Sequence, residues 1–190
     1  MGHRFRPENI ERLDNPERRK MLPPDQILSS LQVEMSHVIA DIGCGIGYFT
    51  IPVAKQTREL VYAIDVEPQM LTHLQNRMEE ANVHNITTLQ GNAESVPLQN
   101  ESVDRIICSL ILHEVDDLDR AIQEMKRVLR KKGKILIIEW EKKETQAGPP
   151  LSHRIAASDL LSKLDEFGWD CRASKPNSDQ YLLIADLRQE

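Results

Sequence analysis

Short apolar runs alternate along the chain with longer stretches whose apolar residues recur at helical spacing. The runs are predicted strands, at residues 38–40, 60–64, 85–90, 103–110, 134–140, 169–173 and 180–186. The stretches between them contain predicted helices, except for a polar loop between the third and fourth strands and a polar turn between the last two. This order predicts an α/β fold: a doubly wound, seven-stranded, mostly parallel sheet with helices on both faces and a C-terminal antiparallel hairpin.

The clearest predicted helix covers residues 116–130, where apolar residues form one stripe. Acidic residues stand at its start and Arg127, Arg130, Lys131 and Lys132 at its end, which complements the helix dipole, and Gly133 fits the C′ position. The basic run is therefore interpreted as a helix end and not as a nucleic-acid patch. A later helix is predicted to be capped by Ser158–Asp159 and ended by Gly168.

The first 36 residues are predicted to form a separate N-terminal part. A charged leader with scattered apolar residues precedes a short helix that begins at Pro24 and presents Ile27, Leu28 and Leu31 to the sheet. Terminal segments of this kind can close over a ligand, so the leader is a candidate lid as well as a plain solvated helix. We expect residues 37–190 to form the ligand-binding domain.

Composition narrows the class of protein. Its length of 190 residues indicates one soluble domain. A formal net charge of −6 and a pI near 5.6 argue against a nucleic-acid partner. Its three cysteines are widely spaced and predict neither a disulfide framework nor a metal site. Without an apolar run of the ~18 residues that a membrane span needs, we expect a cytoplasmic protein with no membrane partner.

Three glycines follow the first predicted strand. The sequence D-I-G-C-G-I-G runs from Asp41 to Gly47, and backbone N–H groups in such a turn can face a bound molecule. A dinucleotide site has G-x-G-x-x-G, but here Tyr48 occupies the third glycine position. The second predicted strand ends at Asp65, whose separation from Gly43 is close to the spacing of a ribose-binding acid. S-adenosylmethionine fits this pattern better than NAD, with Asp41 for its ammonium and Asp65 for its ribose.

Together with three further blocks, this motif resembles class I S-adenosylmethionine-dependent methyltransferases. The blocks are A-I-D ending at Asp65, G-N-A-E at residues 91–94 and G-K-I-L-I-I-E-W at residues 133–140. The block V-D-R-I-I-C-S-L-I-L-H-E-V at residues 103–115 is most similar to the ubiquinone-biosynthesis-type branch, methyltransferase type 11. The resemblance covers residues 38–140 and implies a Rossmann-like fold, S-adenosylmethionine as cofactor and S-adenosylhomocysteine as product.

The resemblance also implies roles for individual residues. Gly43, Gly45 and Gly47 would line the methionine portion, Asp65 would bind the ribose, and Val66 and Met70 would enclose the adenine. Asn92 would contact the adenine amino group and Ala93 would offer its backbone N–H, although the family usually has Asp at the Asn92 position. The expected cofactor site further includes Cys44, Glu94 and Leu110. Met70 as plain core and Asn92 as a turn former stay open as alternatives.

The acceptor side of the reaction is less determined by the sequence. A sulfonium is already an activated methyl donor, so a general base is needed only where the acceptor must lose a proton. His113 and His153 are the predicted candidates, with a structural role for each as the alternative; Glu114, Glu139 and Glu141 come after them. The short connector after the fifth strand favours a small-molecule acceptor. An NAD-type oxidoreductase and a non-catalytic S-adenosylmethionine-binding module are the two competing interpretations.

Overall fold

The computed structural model describes residues 13–188, so the start of the predicted leader, residues 1–12, lies outside it. Seven strands form one sheet in the order β3-β2-β1-β4-β5-β7-β6, and β7 runs antiparallel to both of its neighbours. Their bounds are β1 Ile39–Ile42, β2 Val61–Asp65, β3 Ile86–Gln90, β4 Val103–Ser109, β5 Leu129–Trp140, β6 Trp169–Ser174 and β7 Gln180–Leu187. The predicted fold class, including the C-terminal hairpin at one edge, is confirmed.

Helices cover both faces of the sheet. They are α1 Pro16–Met21, α2 Pro24–Ser29, α3 Thr50–Ala54, α4 Pro68–Glu80, α5 Leu118–Val128 and α6 Ala157–Glu166. The buried apolar residues of α2, α3 and α4 belong mainly to one hydrophobic cluster and those of α5 and α6 to another, with the sheet between them. No helix within residues 13–188 is long and apolar enough to cross a bilayer. The division of the chain at residue 36 stays a prediction.

The predicted end of helix α5 is wrong. The helix stops at Val128, and Leu129 already pairs with Val103 on β4, so the basic run continues as part of β5. Gly133 is not a helix C′ residue: a Cβ there would lie 2.3 Å from the Leu129 side chain, so the chain folds back too closely for any other residue. Only Lys126 and Arg127 lie in the last turn of the helix. The helix-dipole explanation therefore fails for residues 130–132; Arg130 instead forms an ion pair with Asp104 at 2.7 Å.

The predicted cap of helix α6 is also displaced. Ala156 is the N-cap residue and makes no side-chain cap, so Ser158 and Asp159 lie inside the first turn. Asp159 still complements the helix dipole from that position. At the other end, Gly168 follows the C-cap Phe167 and has a φ of 85°. This left-handed conformation is typical of a glycine that ends a helix, as the sequence predicts.

Candidate functional site

A glycine loop, residues 43–47, joins β1 to α3 at the carboxyl ends of the central strands. The backbone N–H groups of Gly43 and Cys44 both donate to the Ile64 carbonyl, at 2.8 and 3.0 Å, which ties the loop to the end of β2. All three glycines have positive φ, a conformation that other residues adopt only with strain. Helix α3 has only five residues, and the N–H groups of Gly43, Cys44, Gly45 and Gly47 all donate within the chain. The loop therefore offers a ligand close approach to its backbone more than free N–H donors, which corrects the expectation that these N–H groups face a bound molecule.

Packing makes Gly47 the least replaceable glycine of the loop. Its φ is +83°, and a Cβ would lie 2.3 Å from Cδ1 of Leu74, a fully buried residue of α4. We expect Gly47→Ala to lower the free energy of unfolding by about 2–4 kcal/mol, through overpacking and backbone strain. Chemical denaturation measures this change. Gly45→Ala is the matched control, because among residues 13–188 its Cβ would meet only Leu13, at 3.8 Å. Equal destabilisation by the two variants would contradict the packing argument.

Asp65 connects the end of β2 to the glycine loop. Its Oδ2 accepts a hydrogen bond from the Gly45 backbone N–H at 2.8 Å, and its Oδ1 accepts one from the Glu67 N–H at 2.9 Å. Burial raises the pKa of the Asp65 carboxyl, although these backbone hydrogen bonds act in the opposite direction. A carboxylate has about four acceptor positions, so these bonds leave it able to accept further hydrogen bonds from a ligand. Hydroxyl groups of a ribose are donors of the kind that this remaining capacity suits.

Asp41 is the second acid of the site and is only 2% exposed. The Thr50 hydroxyl donates to its Oδ2 at 2.6 Å across the loop. Burial raises the pKa of Asp41 to about 7; the Thr50 hydrogen bond lowers it, the charge of Asp65 raises it and the charge of Arg18 lowers it. A buried acid with a raised pKa gains from a nearby cation, which is the property expected of a partner for an ammonium group.

Two predicted adenine contacts follow β2. Val66 is half-buried, and its carbonyl accepts a hydrogen bond from the Gln90 side chain at 3.2 Å. Met70, in the first turn of α4, is 3% exposed but belongs to neither hydrophobic cluster. It is nevertheless one of the buried hydrophobic residues, so the plain core role and the ligand role both stay open.

The loop after β3 carries the remaining predicted adenine contacts. Asn92 is exposed and forms an isolated β-bridge with Ser95, so it also shapes the turn, while Ala93 is buried. Glu94 is hydrogen-bonded to the start of helix α5: its Oε1 accepts from the backbone N–H of Asp117 at 2.8 Å. The side chain of Glu94 thus has a structural use beside any contact with a cofactor.

Leu110 is distinguished by its backbone conformation, whereas Cys44 is distinguished by the burial of its side chain. Leu110 directly follows β4 and has a φ of 60°, a strained conformation that is typical of functional positions. The Leu110 backbone N–H donates to the Ile138 carbonyl at 2.8 Å. Cys44 is buried, and burial raises its pKa well above the usual range. The thiol therefore stays protonated, and Cys44 contributes packing and its backbone.

His113 forms a buried pair with Glu139. Its Nδ1 lies 2.8 Å from Glu139 Oε2, and the Leu112 N–H donates to Glu139 Oε1 at 2.8 Å. Burial lowers the pKa of His113, but the hydrogen bond and the charge of Glu139 outweigh it and hold the pKa above its usual value. The sequence treats these two residues as separate candidates. Their pairing was missed, although the alignment of Ser109 with Ile138 on neighbouring strands places residues just beyond them side by side.

His153 lies on a different segment, in a 3-10 turn over Leu151–His153. Its Nδ1 is buried and has no hydrogen-bond partner within residues 13–188. The adjacent Arg154 holds this connector in place by donating to the carbonyls of Pro149, Glu141, Lys143 and Ala147. The charge of Arg154 also acts on His113, where it lowers the pKa. Arg154 thereby links the connector to the His113–Glu139 pair.

The predicted site residues thus fall into groups. Hydrogen bonds join the glycine loop to Asp65 directly, and Asp41 is joined to Thr50 at the start of α3. The His113–Glu139 pair stands at the ends of β4 and β5, and His153 stands on the connector after β5. In the part of the chain that the structure describes, no group of three or more His, Cys, Asp or Glu side chains is arranged to hold a metal ion.

Comparison with known families gives a match over residues 40–137, just over half of the chain. The matching family model is described as a methyltransferase domain. It begins within β1 and ends within β5, so it includes the glycine loop, Asp65 and His113 but neither Glu139 nor His153.

Individual relatives agree with the family match. An uncharacterized methyltransferase of Bacillus subtilis, YcgJ, is 27% identical over 113 residues, covering 60% of this chain and 44% of the relative. The ubiquinone/menaquinone biosynthesis C-methyltransferase UbiE of Pasteurella multocida is 31% identical over 114 residues, covering 58% of this chain and 42% of the relative. The chain thus spans less than half the length of these curated relatives.

A solved structure matches over nearly the whole chain. The crystal structure of a SAM-dependent methyltransferase from Aquifex aeolicus has a TM-score of 0.90 and 25% sequence identity. The match covers 97% of this chain and 100% of that protein. The agreement therefore extends beyond the family match to the C-terminal hairpin.

Proposed function

We propose that this chain, which belongs to the methyltransferase-domain family, transfers a methyl group from S-adenosylmethionine to a small-molecule acceptor. The observation that carries the proposal is the hydrogen bond from the Gly45 N–H to the Asp65 carboxylate at 2.8 Å. It joins the turn that would hold the methionine portion to the acid that would hold the ribose. Ligands of open α/β sheets bind at this end of the strands, next to the reversal of strand order at β1 and β4.

Successive segments of the chain would bind different parts of the cofactor. The glycine loop would hold the methionine portion, with Asp41 near its ammonium, and Asp65 would accept from the ribose hydroxyls. Val66 and Met70 would contact the adenine, and Asn92 and Ala93 would bind its edge. When bound, the cofactor supplies a sulfonium that makes its methyl group electrophilic. The chain contributes alignment and exclusion of water.

The competing NAD-type oxidoreductase is disfavoured by the glycine loop itself. Tyr48 occupies the position of the third glycine of a dinucleotide site. It is 5% exposed and packs edge-on against Phe49, with ring centroids 4.9 Å apart. A buried aromatic residue leaves no room there for the close approach that a pyrophosphate needs. S-adenosylmethionine has no phosphate and does not need that room.

We assign the chain to the ubiquinone-biosynthesis-type branch of the family and expect a compact acceptor. Identity with the Pasteurella UbiE enzyme supports the branch. Between β5 and α6 there are only residues 141–156, and Arg154 packs over Trp140 at 5.3 Å to fold this connector inward. Such a short connector offers little surface for a macromolecule, which favours a small acceptor over a protein or a nucleic acid.

His113 would serve as the general base for an acceptor that loses a proton, with Glu139 as its positioning residue. A protonated His113 stabilises the fold fully below about pH 6.5, and this stabilisation is lost as the pH rises through its higher folded pKa. We expect Glu139→Gln to lower the pKa of His113, because burial is then opposed only by the charge of Glu114 and no longer by the hydrogen bond and charge of Glu139. Titration of the His113 Cε1–H resonance by NMR measures this change.

The matched control for that titration is Glu144→Gln, at an exposed position of the connector. It should leave the His113 pKa in place. If Glu139→Gln also left that pKa unchanged, the pair would not control the protonation of His113. In a methyl-transfer assay, the acidic limb of the rate profile should move to lower pH with the same variant.

Turnover separates an enzyme from a non-catalytic binding module. The chain would be incubated with S-adenosylmethionine tritiated on its methyl group and with a panel of quinols, phenols, amines and thiols. Transfer of label to one of these acceptors is the expected result. Cofactor binding without label transfer to any acceptor of the panel would support the binding module instead.

A further inference from the structure

A hydrogen bond from Tyr48 joins the N-terminal segment, residues 14–22, to the end of the glycine loop. The Tyr48 hydroxyl donates to the Leu22 carbonyl at 2.7 Å, just after helix α1. On the other side of the loop, Arg77 of α4 forms an ion pair with Asp14 and donates to the Ile46 carbonyl at 3.1 Å. Residues 14–22 are therefore held against the loop at both ends.

Arg18 lies on this segment, and its guanidinium stacks on the Tyr48 ring at 4.3 Å from the ring centroid. Its Nε is buried without a hydrogen-bond partner, and it forms no ion pair with a carboxylate within residues 13–188. Buried donors usually have an acceptor, and buried charges usually have a counter-charge. Among the described residues, Arg18 therefore has an unsatisfied hydrogen-bond donor and an unpaired charge beside the glycine loop, and a bound ligand could supply the acceptor.

The surroundings of Arg18 indicate which ligand group it suits. Its charge acts on Asp41, across the start of the glycine loop, where it lowers the pKa of that acid. The geometry agrees: Arg18 stacks on Tyr48, the residue that follows the loop, and Asp41 accepts from Thr50, two residues further on. A half-buried cation and a buried anion therefore lie beside the same short stretch of backbone. A free amino acid end, with one carboxylate and one ammonium, complements such a pair.

We propose that Arg18 binds the carboxylate of the methionine portion of S-adenosylmethionine, opposite Asp41 at the ammonium. This assignment rests on the proposed function and adds a residue outside the matched family region. The planar guanidinium can bind a carboxylate through two parallel hydrogen bonds, and stacking on Tyr48 fixes its plane beforehand. The assignment also explains Tyr48, which stands at the third glycine position of a dinucleotide motif. Its ring positions the Arg18 guanidinium that would bind the carboxylate of the amino acid end.

Calorimetry with two ligands tests the assignment. S-adenosylhomocysteine carries the amino acid end, whereas 5′-methylthioadenosine shares the adenosine and lacks that end. We expect Arg18→Met to weaken S-adenosylhomocysteine binding about 10- to 100-fold, the range for a charge-assisted hydrogen bond, and to leave 5′-methylthioadenosine affinity unchanged. Arg18→Lys, which keeps the charge, should recover part of the loss. Lys20→Met, an exposed residue of the same helix, is the charge-matched control and should change neither affinity.

The outcomes separate the two levels of the proposal. No S-adenosylhomocysteine binding by the unaltered chain would overturn the proposed function and, with it, the assignment. An equal loss of both ligands in Arg18→Met would show that Arg18 only holds the segment in place, and unchanged binding of both would show no role; either result overturns the assignment alone. Thermal unfolding of each variant confirms that the compared chains are folded.

Discussion

Asp65→Ala should weaken S-adenosylhomocysteine binding about 100-fold or more. The carboxylate accepts from Gly45 and Glu67 and would accept from two ribose hydroxyls, so its removal deletes the ligand contacts and loosens the loop together. Hydrogen bonds to a charged group contribute about 1.5–3 kcal/mol each, and two of them account for this loss. Isothermal titration calorimetry measures the affinity directly.

Glu59→Ala is the matched control for this prediction. Glu59 is an exposed carboxylate just before the opposite end of β2, so its loss should leave the affinity unchanged. Near-normal S-adenosylhomocysteine binding by Asp65→Ala would refute the ribose role of Asp65. Equal weakening by both variants would point to a general effect of charge and not to a contact.

Asp41→Asn should stabilise the fold at high pH while it weakens cofactor binding. The folded pKa of about 7 lies above the ordinary 3.8, so the folded chain holds a proton that the unfolded chain has lost between these values. Stability therefore falls as the pH rises from about 4 to about 7. At about 1.4 kcal/mol per pKa unit, the cost at pH 8 is about 4 kcal/mol, and the neutral amide removes it while still accepting from Thr50.

Chemical denaturation at several pH values tests this role of Asp41. The stability advantage of Asp41→Asn should be close to zero near pH 4 and grow to its full size near pH 8. Asp25→Asn, at an exposed position of α2, should show no such trend. An advantage that does not depend on pH would contradict the raised pKa. In parallel, S-adenosylhomocysteine affinity should fall about 10-fold or more, because the ammonium loses a charged partner.

Local patterns were enough to predict most of the fold. Each of the seven strands lies within about two residues of its predicted bounds, apart from the early start of β5. The errors occur where a distant partner decides the structure. The stretch after Val128 reads as helix in sequence, but pairing of Leu129 with Val103 converts it to strand, and close packing on Leu129 explains Gly133.

The site shows the same division between local and distant information. The glycine loop and Asp65 are visible in the sequence because their spacing along the chain follows from one strand-turn-helix unit. The His113–Glu139 pair depends on the register of two strands that are joined through a helix, so the sequence offers the residues without the contact. Nothing in the sequence of the charged leader distinguishes Arg18 from its basic neighbours. Only its close stacking on Tyr48 and its unpartnered Nε distinguish it from Arg19 and Lys20.

The most direct test of the central claim is calorimetry of the unaltered chain with S-adenosylhomocysteine and, separately, with NAD. We expect binding of one S-adenosylhomocysteine per chain and no measurable heat with NAD, since Tyr48 fills the space that a pyrophosphate needs while Asp41 and Asp65 remain for the amino acid end and the ribose. Binding of NAD without binding of S-adenosylhomocysteine would contradict the proposed function.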